Sequence, residues 1–336
     1  MKSTGRHAAR EAGDGLIGWV KGDREGPLLL CTGGLHGNEP AGVAALEEMV
    51  ALVEARRRRI RGDFVAVAGN LQALSAGRRF MSYDLNRAWT ASRIGEARDR
   101  IRSSNGRRAV PEDRELVRML DVLGEVASRR RGSVWFLDLH TTSGGGGAFT
   151  TSADEPCHRR FAMSVPAPLV LGLNQHLEGT LTAYLDNLGY TSAVFECGQH
   201  EEAQSRVRAM SAVWLAIRAA GLLADGDAPE ARSGYHRLEG AYRHLPRILE
   251  MRYRHPVTEE DRYATRPGLR NFQPVRAGDV VGDDRRGEVM APKSGRLLMP
   301  LYQELGEDGF FVVRDVVAAR PASRREPPLA GVTSGH

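Results

Sequence analysis

Hydrophobic residues fall into two rhythms along this chain. Leu28 to Thr32 is a short apolar run that stops at Gly33-Gly34, the pattern of a buried strand entering a loop. Pro40 suits the first turn of a helix, and apolar Val43, Leu46, Val50 and Val53 recur at helical spacing up to about Arg58. Phe64 to Ala68 is a second buried strand. Ser92 to Val126 is charged and helical, broken near Asn105-Gly106 and Pro111. Strands follow at Val134 to Leu139 and Leu169 to Leu171, then a short helix from Leu181 to Leu188 closed by Gly189. A strand from Ser192 to Cys197 and a long helix from Glu201 to Leu223 complete the pattern. Strands alternating with helices predict an α/β fold, a mostly parallel or mixed sheet with helices on both faces.

The rhythm changes after Leu223. Ala224 to Ser233 is rich in Asp, Gly, Ala and Pro and reads as a linker. Beyond it, short strands separated by turn signals such as Pro267-Gly268, Ala277-Gly278-Asp279 and Gly282-Asp283-Asp284 predict a small C-terminal β domain. The expected organisation is an α/β domain over 1–225 that carries the chemistry, a β domain over 234–318, and a disordered tail over 319–336, where apolar content is low.

Composition narrows the class. A chain of 336 residues, 41% of them hydrophobic, can bury a large core and a smaller one. No apolar run approaches the roughly 20 residues that a membrane helix needs. Met1 to Arg10 is polar and basic and lacks the apolar stretch of a secretory signal. Cys31, Cys157 and Cys197 are odd in number and widely spaced, which argues against a disulfide framework and against a paired-cysteine metal site. The expected setting is the cytoplasm, with no membrane partner. The net charge of +5 rests almost wholly on Arg, since Lys occurs only at 2, 21 and 293. Arg56 to Arg59 and Arg129 to Arg131 resemble nucleic-acid patches, but both close predicted helices, where cations offset the negative end of the dipole. No aromatic residues interleave with them as a stacking platform, so no nucleic-acid partner is expected.

The candidate chemistry lies where strands end. His36 and Glu39 sit in the loop Gly33-Gly34-Leu35-His36-Gly37-Asn38-Glu39, and His140 ends the strand Phe136 to His140. Two imidazoles and a carboxylate form a catalytic zinc set that leaves a coordination position open. In open α/β sheets, sites gather at the carboxyl ends of strands, where all three residues fall. Asp138 is either a carboxylate backing His140 or simply a strand residue. Asp84-Leu85-Asn86-Arg87 offers an Arg suited to gripping a carboxylate and an Asn beside it, and Arg79 could steady an oxyanion. The plainer alternative for these is a surface loop in an Arg-rich chain. Glu196, in the apolar strand end Val194-Phe195-Glu196-Cys197-Gly198, is either a desolvated general base or a strand-end carboxylate that points outward or caps the next helix.

These pieces, in this order, resemble the succinylglutamate desuccinylase and aspartoacylase family, a branch of the zinc carboxypeptidase-like fold. Gly-Gly-Leu-His-Gly-Asn-Glu at 33–39, Asp-Leu-Asn-Arg at 84–87, Asp-Leu-His-Thr-Thr at 138–142 and Glu-x-Gly at 196–198 match family motifs, and the resemblance runs from about Leu28 to Asp315. It implies one zinc per chain on His36, Glu39 and His140. It further implies Glu196 as general base, Arg79 as polariser of the scissile carbonyl, and Asn86 with Arg87 as the grip on the substrate α-carboxylate. The implied activity is hydrolysis of an N-acyl amino acid or related small molecule, with a carboxypeptidase on short peptides as the alternative. A non-catalytic binding protein of the same fold is a third reading, disfavoured because ligands, base and clamp are all present. A homo-oligomer is possible. Two departures concern the substrate: Asp186 stands in the region where aspartoacylases carry a second carboxylate-reading Arg, and Phe310 falls close to their C-terminal Tyr. Ala291-Pro292-Lys293-Ser294-Gly295 reads as a plain hairpin, and Gly144 to Gly147 as a flexible edge of the site.

Overall fold

The computed structural model describes residues 15 to 316; the basic N-terminal stretch and the tail over 319–336 lie outside them. The first part of the chain comprises β1 (Leu16–Lys21), β2 (Arg24–Gly33), α1 (Pro40–Glu54), β3 (Arg61–Ala68), α2 (Leu71–Ala76), α3 (Ala91–Arg102) and α4 (Pro111–Arg129). Next come β4 (Val134–Thr142), β5 (Phe149–Thr151), α5 (Pro156–Ala162), β6 (Leu169–Leu171), α6 (Leu181–Asn187), β7 (Thr191–Gln199), α7 (Ala203–Ala219) and α8 (Pro229–Tyr242). The rest is β-rich: β8 (Ile248–Pro256), β9 (Ala264–Thr265), β10 (Pro274–Val275), β11 (Val280–Asp284), β12 (Gly287–Met290), β13 (Gly295–Leu298) and β14 (Asp308–Asp315).

Eleven strands make one mixed sheet in the order β1-β3-β2-β4-β7-β5-β6-β8-β14-β13-β10, and β12-β11-β9 form a second, three-stranded sheet. The centre, β3-β2-β4-β7, is parallel, as the alternation of strands and helices requires. Strand pleating sorts the apolar runs onto two faces. Leu29 and Cys31 pack with Leu46, Met49, Val53 and the α7 residues Val213 and Ile217. Their neighbours Leu28 and Leu30 pack with Leu116, Met119 and Leu123 of α4. Runs buried on both sides therefore carry no polar alternation. The stripe of α1 is rotated from the expected one: Gly42, Ala45, Leu46, Met49 and Val53 are buried, while Val43 and Val50 lie at its flank. Glycine and alanine here let the helix approach the sheet closely.

Two expectations change. The segment Ala224 to Ser233, linker-like in composition, carries a short turn and then the start of α8, whose Pro229 occupies the first helical turn. Ala231, Gly234 and Leu238 of α8 are buried, so small residues serve close packing. The C-terminal strands, read locally as a separate unit, continue the main sheet, because β8 pairs parallel with β6 and antiparallel with β14. Only β9, β11 and β12 stand apart. Arg56, Arg57 and Arg59 meet Glu230, Asp23, Glu54 and Asp227 as ion pairs within the chain. All three cysteines are free, and no helix among the described residues is long and apolar enough to cross a membrane.

Because β8 bridges the two parts, urea unfolding followed by fluorescence and by circular dichroism is expected to show one transition. Leu249→Ala, which empties a fully buried site on β8, should lower stability by about 2–5 kcal/mol. Two separated transitions would contradict a common core.

Candidate active site

The parallel register sets the site. Gly33 at the end of β2 lies beside Leu139 of β4, and His140 lies beside Glu196 of β7. The loop after β2 and the ends of β4 and β7 thus share one edge of the sheet. Gly37 lets this loop press against α2: a Cβ there would meet the Ala73 carbonyl carbon at 2.0 Å. Glu39 is the N-cap residue of α1 but its side chain does not cap. Its carboxylate turns inward, accepts the Thr141 N–H at 3.0 Å, and lies 2.8 Å from His36 Nδ1 and 3.0 Å from His140 Nδ1.

His36, Glu39 and His140 form a buried group whose ligand atoms all lie within 4.8 Å of one another, so they could hold one metal ion. The other ring nitrogens are already assigned: His36 Nε2 meets Asp84 Oδ1 at 3.1 Å, and His140 Nε2 meets Asp138 Oδ2 at 3.0 Å. Backing carboxylates of this kind orient ligating imidazoles. Asp138 is itself held by the Thr32 hydroxyl at 2.5 Å. Glu39, Asp84, Asp138 and Glu196 are all buried here, with Arg79 as the guanidinium among them. So many buried carboxylates need positive charge. The two-nitrogen, one-carboxylate donor set and the local excess of acid both fit a divalent cation, zinc included.

Burial would raise the Glu39 pKa, but the two imidazoles hold it well below the usual carboxylate range. Asp84 is likewise held low, by His36 and Arg79 against its burial. His140 is held protonated well above the usual imidazole range, because Asp138 and Glu39 outweigh burial. Glu196 goes the other way: burial, with Glu39 and Asp138 adding, pushes it up to about 8 against the pull of His140 and Arg79. Its Oε2 is buried with no hydrogen-bond partner, as are Arg79 Nε and Asn38 Oδ1. Unpaired buried polar atoms are uncommon, and Glu196, Arg79 and Asn174, each with one, all line one cavity.

Arg79 reaches the site because buried Glu112, in the first turn of α4, accepts the N–H groups of Met81 and Ser82 at 2.6 and 2.9 Å and so fixes the loop. Its guanidinium lies 3.0 Å from Asp84 and 3.7 Å from Glu39. Asn86 accepts the Leu181 N–H through Oδ1, leaving its Nδ2 as the donor it can offer a ligand. Arg87 lies in the same cavity, 3.4 Å from Glu307 and 3.7 Å from Asp308. His36, Glu39, Arg79, Asn86, Arg87, His140 and Glu196 therefore line one cavity.

Several contributors had no local signal. His200 joins the Thr141 hydroxyl at 2.7 Å to Gln303 at 3.1 Å, and Gln303 also accepts from Asn38 at 2.8 Å. This chain ties the C-terminal part to the loop bearing His36. Asp84 begins a recognised motif, yet its contact with His36 spans 48 positions. Asp186 lies on α6, 3.4 Å from His158 and away from the cavity, so it does not occupy a substrate-reading position. Phe310 turns from the cavity into a cluster with Tyr253, His255 and Tyr263, and Phe311, on the opposite face of β14, lines it instead. The glycines at 144–147 seat the C-terminal part: Asn271 N–H bonds Gly145 O at 2.8 Å, and a Cβ on Gly144 would strike Pro300.

The profile of the succinylglutamate desuccinylase/aspartoacylase catalytic domain matches residues 25–219, from β2 to the end of α7. The chain belongs to this family. A succinylglutamate desuccinylase of Burkholderia thailandensis is 28% identical over 134 residues, 39% of this chain, and the chain spans only 36% of that protein. The fold extends further. A succinylglutamate desuccinylase/aspartoacylase structure from Rhodobacter sphaeroides superposes with a TM-score of 0.62 at 17% identity, covering 89% of this chain and 88% of that one. The succinylglutamate desuccinylase of Vibrio cholerae gives 0.61 at 18% identity, over 89% and 84%. The family profile stops before Gln303, Glu307, Asp308 and Phe311, so part of the cavity wall lies beyond the matched catalytic segment.

Proposed function

We propose that this chain is a zinc-dependent amidohydrolase, with one zinc per chain, that cleaves the amide bond of an N-acyl amino acid or related small molecule. The observation that carries this reading is Glu196, a buried carboxylate with one unpartnered oxygen, beside His140 in the cavity of the two-His, one-Glu set. The names of its relatives point to the same reaction class. His36, Glu39 and His140 would hold the metal, which when bound supplies a Lewis acid for the amide carbonyl. Glu196 takes a proton from the attacking water as its oxygen adds to the carbonyl carbon. It returns that proton to the amide nitrogen as the C–N bond breaks. Arg79 donates to the carbonyl oxygen as negative charge develops there. Arg87 and Asn86 grip the α-carboxylate on the amine side; the Glu307 side chain, 58% exposed, can yield Arg87 to it by swinging into solvent.

The test compares an N-acyl amino acid with its methyl ester on zinc-loaded protein. Losing the carboxylate is expected to cost the native enzyme about 3 kcal/mol or more in kcat/KM, roughly 100-fold or more. The same change should cost Arg87→Ala little. Equal rates for acid and ester in the native enzyme would remove the clamp. A panel of N-acyl amino acids beside dipeptides decides the class, and faster turnover of dipeptides would make it a peptidase.

A further inference from the structure

One wall of the cavity beside Glu196 is hydrocarbon. β5 and β7 run antiparallel with Phe149 opposite Glu196 and Thr151 opposite Val194. Side chains two apart on a strand share a face, so Val194 stands next to Glu196 and faces Phe149 and Thr151 across the pair. Phe149 and Val194 are buried, and Leu173 and Leu177 from the loop after β6 and Phe311 from β14 extend the same apolar wall.

Arg79 and Arg87 are the Arg or Lys side chains that line the cavity, and both face carboxylates: Arg79 meets Asp84 and Glu39, Arg87 meets Glu307 and Asp308. One substrate carboxylate can displace Glu307 from Arg87. Among the described residues a second would find no Arg or Lys free of a carboxylate; beside Phe149, Val194 and Leu173 the one unpartnered buried donor is the neutral Asn174 Nδ2, with the Glu196 carboxylate lining the same cavity. An anion buried without a partner is strongly disfavoured, whereas each methylene buried against such walls gains about fourfold in binding.

We propose that the substrate carries a single carboxylate and, beside the scissile bond, an uncharged aliphatic or aryl group that packs against Phe149, Val194, Leu173 and Phe311, in place of a second acidic group. This rests on the amidohydrolase reading above. The hydrocarbon belongs either to the acyl chain or to the amino-acid side chain, and two matched pairs separate these sources. N-4-methylpentanoyl-alanine against N-succinyl-alanine tests the acyl side. N-acetyl-leucine against N-acetyl-aspartate tests the amine side. The members of each pair have nearly the same shape and differ by one charge.

The expected result is a preference of at least about 100-fold in kcat/KM for the hydrocarbon member of one pair, and no preference for the dicarboxylate in the other. Val194→Thr, similar in shape but polar, should cut that preference several-fold. Calorimetric titration of the same four compounds into zinc-loaded Glu196→Gln protein reads the ratios as affinities without turnover. Preference for the dicarboxylate in either pair, or indifference in both, overturns the proposal. If no compound is hydrolysed, the reaction class fails, and the calorimetric ranking alone still decides what the cavity accepts.

Discussion

Glu196→Gln is expected to keep its metal and its substrate affinity while losing at least about 100-fold in turnover, the usual scale for a positioned acid–base group. The amide preserves the size and packing of the side chain among Val194, Phe149 and His140, but it cannot accept the proton of the attacking water. The pH profile provides a second readout. Burial keeps the native carboxyl protonated up to about 8. A divalent cation held by the adjacent His36, Glu39 and His140 favours the ionised form, so the acid limb of kcat/KM in zinc-loaded enzyme should fall below that value. Rates drop as pH falls through this pKa, because the base is then protonated. The variant should lose the limb along with the rate. Near-normal turnover in Glu196→Gln would assign the base elsewhere.

His36→Ala and His140→Ala should each lose the metal and the activity together. Removing one imidazole leaves Glu39 with a single nitrogen partner and opens a coordination position to water, which a buried two-nitrogen, one-carboxylate set cannot replace. Elemental analysis after dialysis reads this directly. Thermal melting gives an independent measure: zinc at 100 times its dissociation constant stabilises a native protein by about 2.7 kcal/mol, and neither variant should respond. Full metal occupancy in both variants would refute the ligand assignment.

The parts of this molecule legible in the sequence are those with short-range rules. The apolar runs of β2, β4 and β7 end at or just before residues that meet in the cavity, and a parallel sheet brings such ends to one edge. Partner choice is a different matter. β6 has three residues and β8 follows it only after α6, β7, α7 and the linker-like segment that opens into α8, so nothing local says that they pair and extend the sheet. The contrast between Phe310 and Phe311 depends on strand parity, and a one-residue slip exchanges the cavity face for the opposite one. Asp84, Glu112, His200 and Gln303 act on residues far along the chain, where sequence spacing carries no signal. Composition misled at α8, where Gly, Ala and Pro serve helix packing and helix initiation instead of flexibility.

The tie between Asn38 and Gln303 sets an order of events during synthesis. These partners are 265 positions apart. At roughly 5–20 residues per second, a ribosome that has made the loop bearing His36 needs about 15–50 s more to reach Gln303. Glu196 is made only roughly 5–20 s before Gln303, and in that shorter window the chain has all the residues proposed as metal ligands and base, yet lacks the wall formed by Phe311 and the carboxylates opposite Arg87. The residues proposed for chemistry and those proposed for substrate selection are thus made at different moments in the life of each molecule, the first before the second.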